Sequence, residues 1–350
     1  MGLGNSVNRR NLLALVMLVG VGLGRAYADQ TPTTRPHQLR FAPKQSEWIE
    51  LPKPEPGTAA GDLAAARAAL AEQQYGKARK LIRAWQKSYG SSSEFLPQAL
   101  LLEARAEKGL RNYYDAYQVL DRLISDFRAT EAADDGVVEL FNIAEVYLSG
   151  VRRKLWGMRL LDASELALDI LDRITAEFAG TRLAELALKT KADYFFQRGD
   201  FPLAELELAR LLQEYPESQY RRYAMKLSAD AALASFTGVR FDDAPLVEAE
   251  ERYRMYAREY PDDAGGVSPI LETIRERRAE KELEIGRYYR KIDEPEAAVF
   301  YFESVQAHWP DTAAAAQAVD AIRAMEGHAD FGGDAMEAPL SPENREYTEP

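Results

Sequence analysis

The 350-residue chain has no cysteine, three histidines and no run of alternating β-branched residues. Without cysteine there are no disulfides, no thiol nucleophile and no zinc–thiolate site. His37, His308 and His328 stand far apart, without metal-ligand spacing. No Walker loop or Gly-x-Ser-x-Gly elbow is present, and the Gly-x-Gly run at Gly20–Gly24 falls inside an apolar N-terminal segment. The acidic pairs Asp134-Asp135, Asp242-Asp243 and Asp262-Asp263 fall in loops or at helix starts, where carboxylates cap helices. No catalytic residue, metal or cofactor is predicted, and the chain reads as a non-enzyme. Positive charge is also short, with 44 Lys and Arg against 56 Asp and Glu, a net −12. A chain this acidic repels nucleic acid, so any cationic contact must come from a local patch.

What is present begins with targeting. Arg9-Arg10 precede an apolar run from Leu12 to Leu23, and Ala26-Tyr27-Ala28 supplies small residues for cleavage, so 1–28 is predicted to be a secretory signal peptide. An uncleaved signal anchor is the alternative. The paired arginines weakly resemble a twin-arginine signal. Removing three arginines and no acids would take the net charge from −12 to −15. Residues 29–60 carry Pro32, Pro36, Pro43, Pro52, Pro54 and Pro56 and are expected to form an extended linker. From Gly327 to the end, six acids and one arginine among scattered Gly and Pro predict a disordered acidic tail over 327–350.

Between these lies a repeat over 61–326. In Gly199–Pro216, Ala204, Leu208, Leu211 and Tyr215 are spaced 4, 3 and 4 apart. The same spacing returns as Ala78, Ile82, Trp85, Tyr89; as Ala116, Leu120, Leu123, Phe127; and as Ala167, Leu171, Ile174, Phe178. It returns again as Ala249, Tyr253, Tyr256, Tyr260 and as Ala298, Phe302, Val305, Trp309. These steps put four side chains on one face of a helix, and Pro216, Pro261 and Pro310 stop three of the helices at once. Partner helices precede them, Leu100–Lys108 before Gly109 and Ala187–Gln197 before Gly199. The letters Arg198-Gly199-Asp200 are then a turn, with Pro202 in the first turn of the next helix, rather than an adhesion signal. A lone amphipathic hairpin cannot bury its own face, so the pattern predicts an all-α, tetratricopeptide-like right-handed α-solenoid of five to seven helical hairpins. Terminal aromatics lie 38, 51, 37, 45 and 49 residues apart, which leaves armadillo and HEAT arrays as the competing reading. The extra length falls around Gly150–Met158 and Phe236–Pro245.

Over 187–325 the order of parts resembles the BamD (YfiO) outer-membrane assembly family. The resemblance rests on ADYFFQRGDFPLAELELARLLQEYPESQY, then ALASFTGVRFDDAPLVEAEERYRMYAREYPDD, then RERRAEKELEIGRYYRKIDEPEAAVFYFESVQAHWPDT. It implies a periplasmic scaffold, associated with the outer membrane, that binds a BamA-like barrel protein or unfolded outer-membrane proteins during β-barrel assembly. It also implies that Arg277 sits near the partner contact; a solvated arginine within Arg275–Arg278 is the alternative. The family's members are lipoproteins acylated on a cysteine after the signal, and this chain has none. A general envelope scaffold for secretion, cell division or peptidoglycan machinery is the second function reading, and the helical domain of a glycan-cleaving enzyme that has lost its catalytic domain the third. One more segment stands out as a partner or membrane contact: Arg152, Arg153 and Trp156 within Val151–Trp156, the alternative being a helix extension in which Leu155 and Trp156 pack on the next repeat.

Overall fold

The computed structural model describes residues 39–42, 47–50, 54–90, 92–155, 158–238 and 242–332. Six helix pairs follow one another among them: α1 (Ala59–Ala71) and α2 (Tyr75–Tyr89), α3 (Leu96–Gly109) and α4 (Tyr113–Asp126), α5 (Glu131–Leu148) and α6 (Ser164–Glu177), α7 (Arg182–Arg198) and α8 (Phe201–Glu214), α9 (Arg221–Ala234) and α10 (Ala244–Glu259), α11 (Ala264–Lys291) and α12 (Pro295–His308). A single helix, α13 (Ala313–Gly332), closes the series. The fold is all-α and tetratricopeptide-like. Two antiparallel β-ribbons are additions, β1 (Leu39–Ala42) with β2 (Glu47–Glu50), and β3 (Arg153–Leu155) with β4 (Met158–Leu161).

The first ribbon lies in the stretch read as an extended linker. The second replaces the expected helix extension: Gly150, at φ +92°, takes the chain out of α5 in a left-handed conformation, and the chain then pairs with itself. Helix begins two residues before 61 and continues past 326 to Gly332. The expectations for 1–28, for Trp156 and for most of the acidic tail fall outside the described residues.

The repeat spacing has a simple physical outcome. In all six copies the first three residues are at most 2% exposed, and the closing aromatic is half-buried at the helix end. In three copies that aromatic also holds the cap of the next helix. The carbonyl oxygens of Phe127, Phe178 and Trp309 accept the hydroxyls of Thr130, Thr181 and Thr312 at 2.8, 2.7 and 2.7 Å. Each threonine oxygen in turn accepts a backbone N–H of the following helix, from Ala133, Ala184 and Ala315. These are N-caps, which satisfy one of the donors a helix start leaves open. The three-residue step from aromatic to capping threonine therefore ties the end of one helix to the start of the next.

Four of the pairs turn in the same way. Gln73, Arg111, Gly199 and Asp293 all have positive φ, and the next residue's N–H reaches back five residues, as Gln74 to Ala69 at 2.8 Å and Asn112 to Glu107 at 2.9 Å. This is the Schellman ending of a helix. Gly109 is thus not the turn residue: it lies inside α3, where a Cβ would stand 2.2 Å from the Tyr75 ring, so its role is close approach.

By its contacts the chain divides into two compact units, residues 1–194 with 213–218, and 195–212 with 219–350. In the first, α1/α2, α3/α4 and α5/α6 form antiparallel pairs, and the leading helices α1, α3 and α5 also touch in succession. In the second, α9 packs on α10, α10 on α11, and the long α11 on both α12 and α13.

Candidate functional site

The 28-residue α11 carries two apolar stretches separated by charge. Val267 and Ile274 join a buried cluster with Ala229, Leu246, Tyr253 and Tyr256; Ala279 and Leu283 join another with Ala298, Phe302, Val305 and Ala318. Between them runs Arg275-Glu276-Arg277-Arg278. A groove of about 550 Å³ opens along this break, lined by Glu250 and Arg254 of α10, Arg275, Arg278 and Glu282 of α11, and Ser304, His308 and Trp309 at the end of α12.

Helical spacing decides which charges face it. Positions 275, 278 and 282 share one face of α11, whereas 277 is turned about 100° from 278. Arg278 is the centre. Its Nη1 donates to Glu250 at 2.6 Å, and its guanidinium carbon lies 5.7 Å from the Trp309 ring centre. Its Nε is buried without a hydrogen bond, with the Asp243 carboxylate at 3.9 Å. A guanidinium fixed by Glu250 and Trp309 that stays 26% exposed is suited to taking a carboxylate. Arg254, 65% exposed, and Arg275, 43% exposed, reach Glu250 and Asp311 while keeping contact with solvent. Ser304 donates to Glu282 at 2.9 Å, and the His308 ring packs against Trp309. Three arginines against two glutamates leave the lining net positive on a chain of net −12.

Glu276 has a different task. Both its carboxylate oxygens accept backbone N–H groups of α13, from Ala313 and Ala314 at 3.0 Å each, holding the closing helix against α11. Nearby, burial pushes the Tyr253 hydroxyl pKa up, and the hydrogen bond it donates to Asp230 adds to this, so it stays protonated.

The residues singled out in the sequence separate. Arg277 lies off the groove and donates to Glu280 of its own helix at 2.7 Å. The sequence reading missed Arg275, Arg278 and Trp309 as a group, although spacing of 3 and 4 among charged positions of one helix was the available signal. Arg152 and Arg153 belong to the first unit. Arg152 is exposed, and Arg153 stacks on Tyr114 with its guanidinium carbon 3.8 Å from the ring centre. No group of acidic or histidine side chains able to hold a metal ion occurs among the described residues, and no described helix is long and apolar enough to cross a membrane.

The profile of the YfiO family, described as an outer membrane lipoprotein, matches residues 162–336. That span is half of the chain and contains every residue lining the groove. The chain belongs to the YfiO family. The match begins in the α6 region, earlier than the stretch whose order of parts resembles the family. As a family member built of tetratricopeptide-like hairpins, the chain is a protein-interaction scaffold.

Among solved structures, a tetratricopeptide repeat protein from Parabacteroides merdae is 12% identical, with 75% of this chain and 97% of that one covered and a TM-score of 0.37. PilW, a type IV pilus biogenesis factor, is 16% identical over 76% of this chain and all of its own, at a TM-score of 0.31. The TPR2AB domain of yeast Sti1 is 15% identical over 75% and 96%, at 0.22. Overlaps this loose carry no argument, and the fold rests on the hairpins themselves. A comparison with curated proteins gives no match.

Proposed function

We propose that this YfiO-family chain is a periplasmic, non-enzymatic scaffold for outer-membrane β-barrel assembly, and that the α10–α12 groove receives an acidic segment of a BamA-like partner. The observation that carries the reading is the position of the groove. It lies inside the span matched by the family, at the one place where α11 gives up apolar packing for a run of charge. Helix faces that only stack do not need an arginine fixed by a glutamate over an indole ring, and such paired anchors are typical of binding hot spots. Recognition is then electrostatic at the approach, through Arg254 and Arg275, and geometric at the seat, through Arg278 and Trp309.

The test is a binding isotherm between the full chain and the soluble periplasmic domains of a BamA-like protein. Arg254→Glu combined with Arg275→Glu reverses two solvent-exposed charges and breaks their pairs with Glu250 and Asp311, while the Arg278–Glu250 pair stays in place. Binding is expected to weaken by tenfold or more and to become less dependent on salt. Unchanged affinity in a variant with wild-type circular dichroism would remove the groove from the interface. Capture of secretion, cell-division or peptidoglycan proteins from envelope extract, with no barrel protein among them, would favour a general envelope scaffold instead.

A further inference from the structure

The second β-ribbon is not accounted for by a scaffold groove. It lies in the first unit, and the stretch Val151–Leu161 that contains it has Arg152, Arg153, Lys154 and Arg159 but no acid, a local charge of +4 in a chain of net −12. Its second strand shows apolar side chains to solvent: Met158 is 57% exposed, Leu160 49% and Leu161 39%. Most large apolar side chains of the repeats are buried, and no other described segment as short exposes three of them.

The ribbon is seated rather than loose. Arg153 stacks on Tyr114, and Lys154 Nζ donates to Asn112 Oδ1 at 2.7 Å, so two of its cations fix it to the start of α4. Arg152 is exposed, as are Met158, Leu160 and Leu161 of β4. Beside Arg152 is a cleft of about 360 Å³, lined also by Arg111, Tyr113, Gly150 and Val151, which puts two guanidinium-bearing residues around one opening.

We propose that the β3–β4 ribbon is a lipid-binding element that lays the first unit on an anionic bilayer surface, with Met158, Leu160 and Leu161 entering the interface and the arginine-lined cleft taking headgroup phosphate. The pairing of apolar and cationic groups chooses the occupant. An acidic peptide answers the charge but not three exposed aliphatic side chains, whereas the boundary of an anionic bilayer answers both. Charge complementarity also explains how so acidic a chain approaches such a surface: one patch of opposite sign sets the orientation.

The absence of cysteine makes the test direct, since a label placed by Leu160→Cys is unique in the full chain. An environment-sensitive fluorophore at 160 is titrated with vesicles of phosphatidylethanolamine containing about a third phosphatidylglycerol, and with phosphatidylcholine vesicles. The same label placed by Met255→Cys serves as control. The label at 160 is expected to shift to the blue on the anionic vesicles alone, the label at 255 to stay in water, and Arg152→Glu to weaken the response at 160 by tenfold or more. Lack of a shift at 160, an equal shift on neutral vesicles, or a shift that needs an added protein partner would each overturn the proposal. Met158→Ser with Leu161→Ser, checked for native circular dichroism, is expected to abolish the response; a response that survives both substitutions would also overturn it.

Discussion

In the first unit one continuous cluster of buried residues runs from Leu63 to Ala187, while the second unit splits its core in two. The first is built largely from Leu, Ile and Ala, and the buried Glu107 beside it accepts from Arg79 and Asn112. The second leans on aromatic residues, Tyr253 and Tyr256 in one cluster and Phe302 in the other, with the Arg275–Arg278 run between them. Continuity and interruption have different uses. A continuous apolar face spreads stability over many small contacts, and an interruption leaves charged groups where a partner reaches them. The groove is found where the repeat pattern of α11 stops serving the core.

The comparison breaks most readily at Phe302, the largest fully buried side chain of the last cluster. Phe302→Ala is expected to cost about 3–5 kcal/mol, because a core this small has little to fill the cavity with. Urea unfolding followed by circular dichroism is expected to show an early transition for α11–α13, with the first unit's transition unmoved. Loss of both together would mean that the two cores are not separate. A smaller effect is expected from Gly286→Ala. A Cβ there would stand 2.6 Å from the Phe302 ring, and the strain is expected to cost about 1–3 kcal/mol in the same transition.

The smallest effect belongs to the first unit and depends on pH. Burial pushes the Glu139 carboxyl up, but Lys108 and Arg105 outweigh this, with Arg105 Nε donating at 2.8 Å, and its folded pKa ends below the ordinary value. A depressed carboxyl contributes stability that is present above its unfolded pKa and lost as pH falls through the folded one. The urea midpoint of the first unit is therefore expected to fall as the solution is taken from neutral to acid through the carboxylate range. Glu139→Gln is expected to flatten part of that slope, and an unaltered slope would show that the pair contributes nothing to folding.

Most of the helical architecture was legible because burial dictates residue type at fixed intervals. The six alanine-led sets needed no knowledge of contacts, and every one faces the core. The capping step was equally open to reading at Thr130, Thr181 and Thr312, each three residues after a closing aromatic. At Trp309-Pro310-Asp311-Thr312 the proline that stops one helix masks the threonine that starts the next. The ribbons were not legible. Arg153-Lys154-Leu155 has no strand alternation, and its pairing depends on a left-handed Gly150 and on Tyr114, 39 residues upstream of Arg153. The groove was half legible: the charged run was visible, but which of its members faces outward depends on packing against α10 and α12, and that selects Arg278 over Arg277.

The central claim is that partner recognition lies in the interrupted core of the second unit, and position-specific photocrosslinking tests it most directly. A benzophenone amino acid replaces Arg254 in the groove or, as control, the exposed Arg122 of α4, and the full chain is irradiated in cells. The account predicts a crosslink to a BamA-like barrel protein from 254 and none from 122; a crosslink from 122 with none from 254 would contradict it.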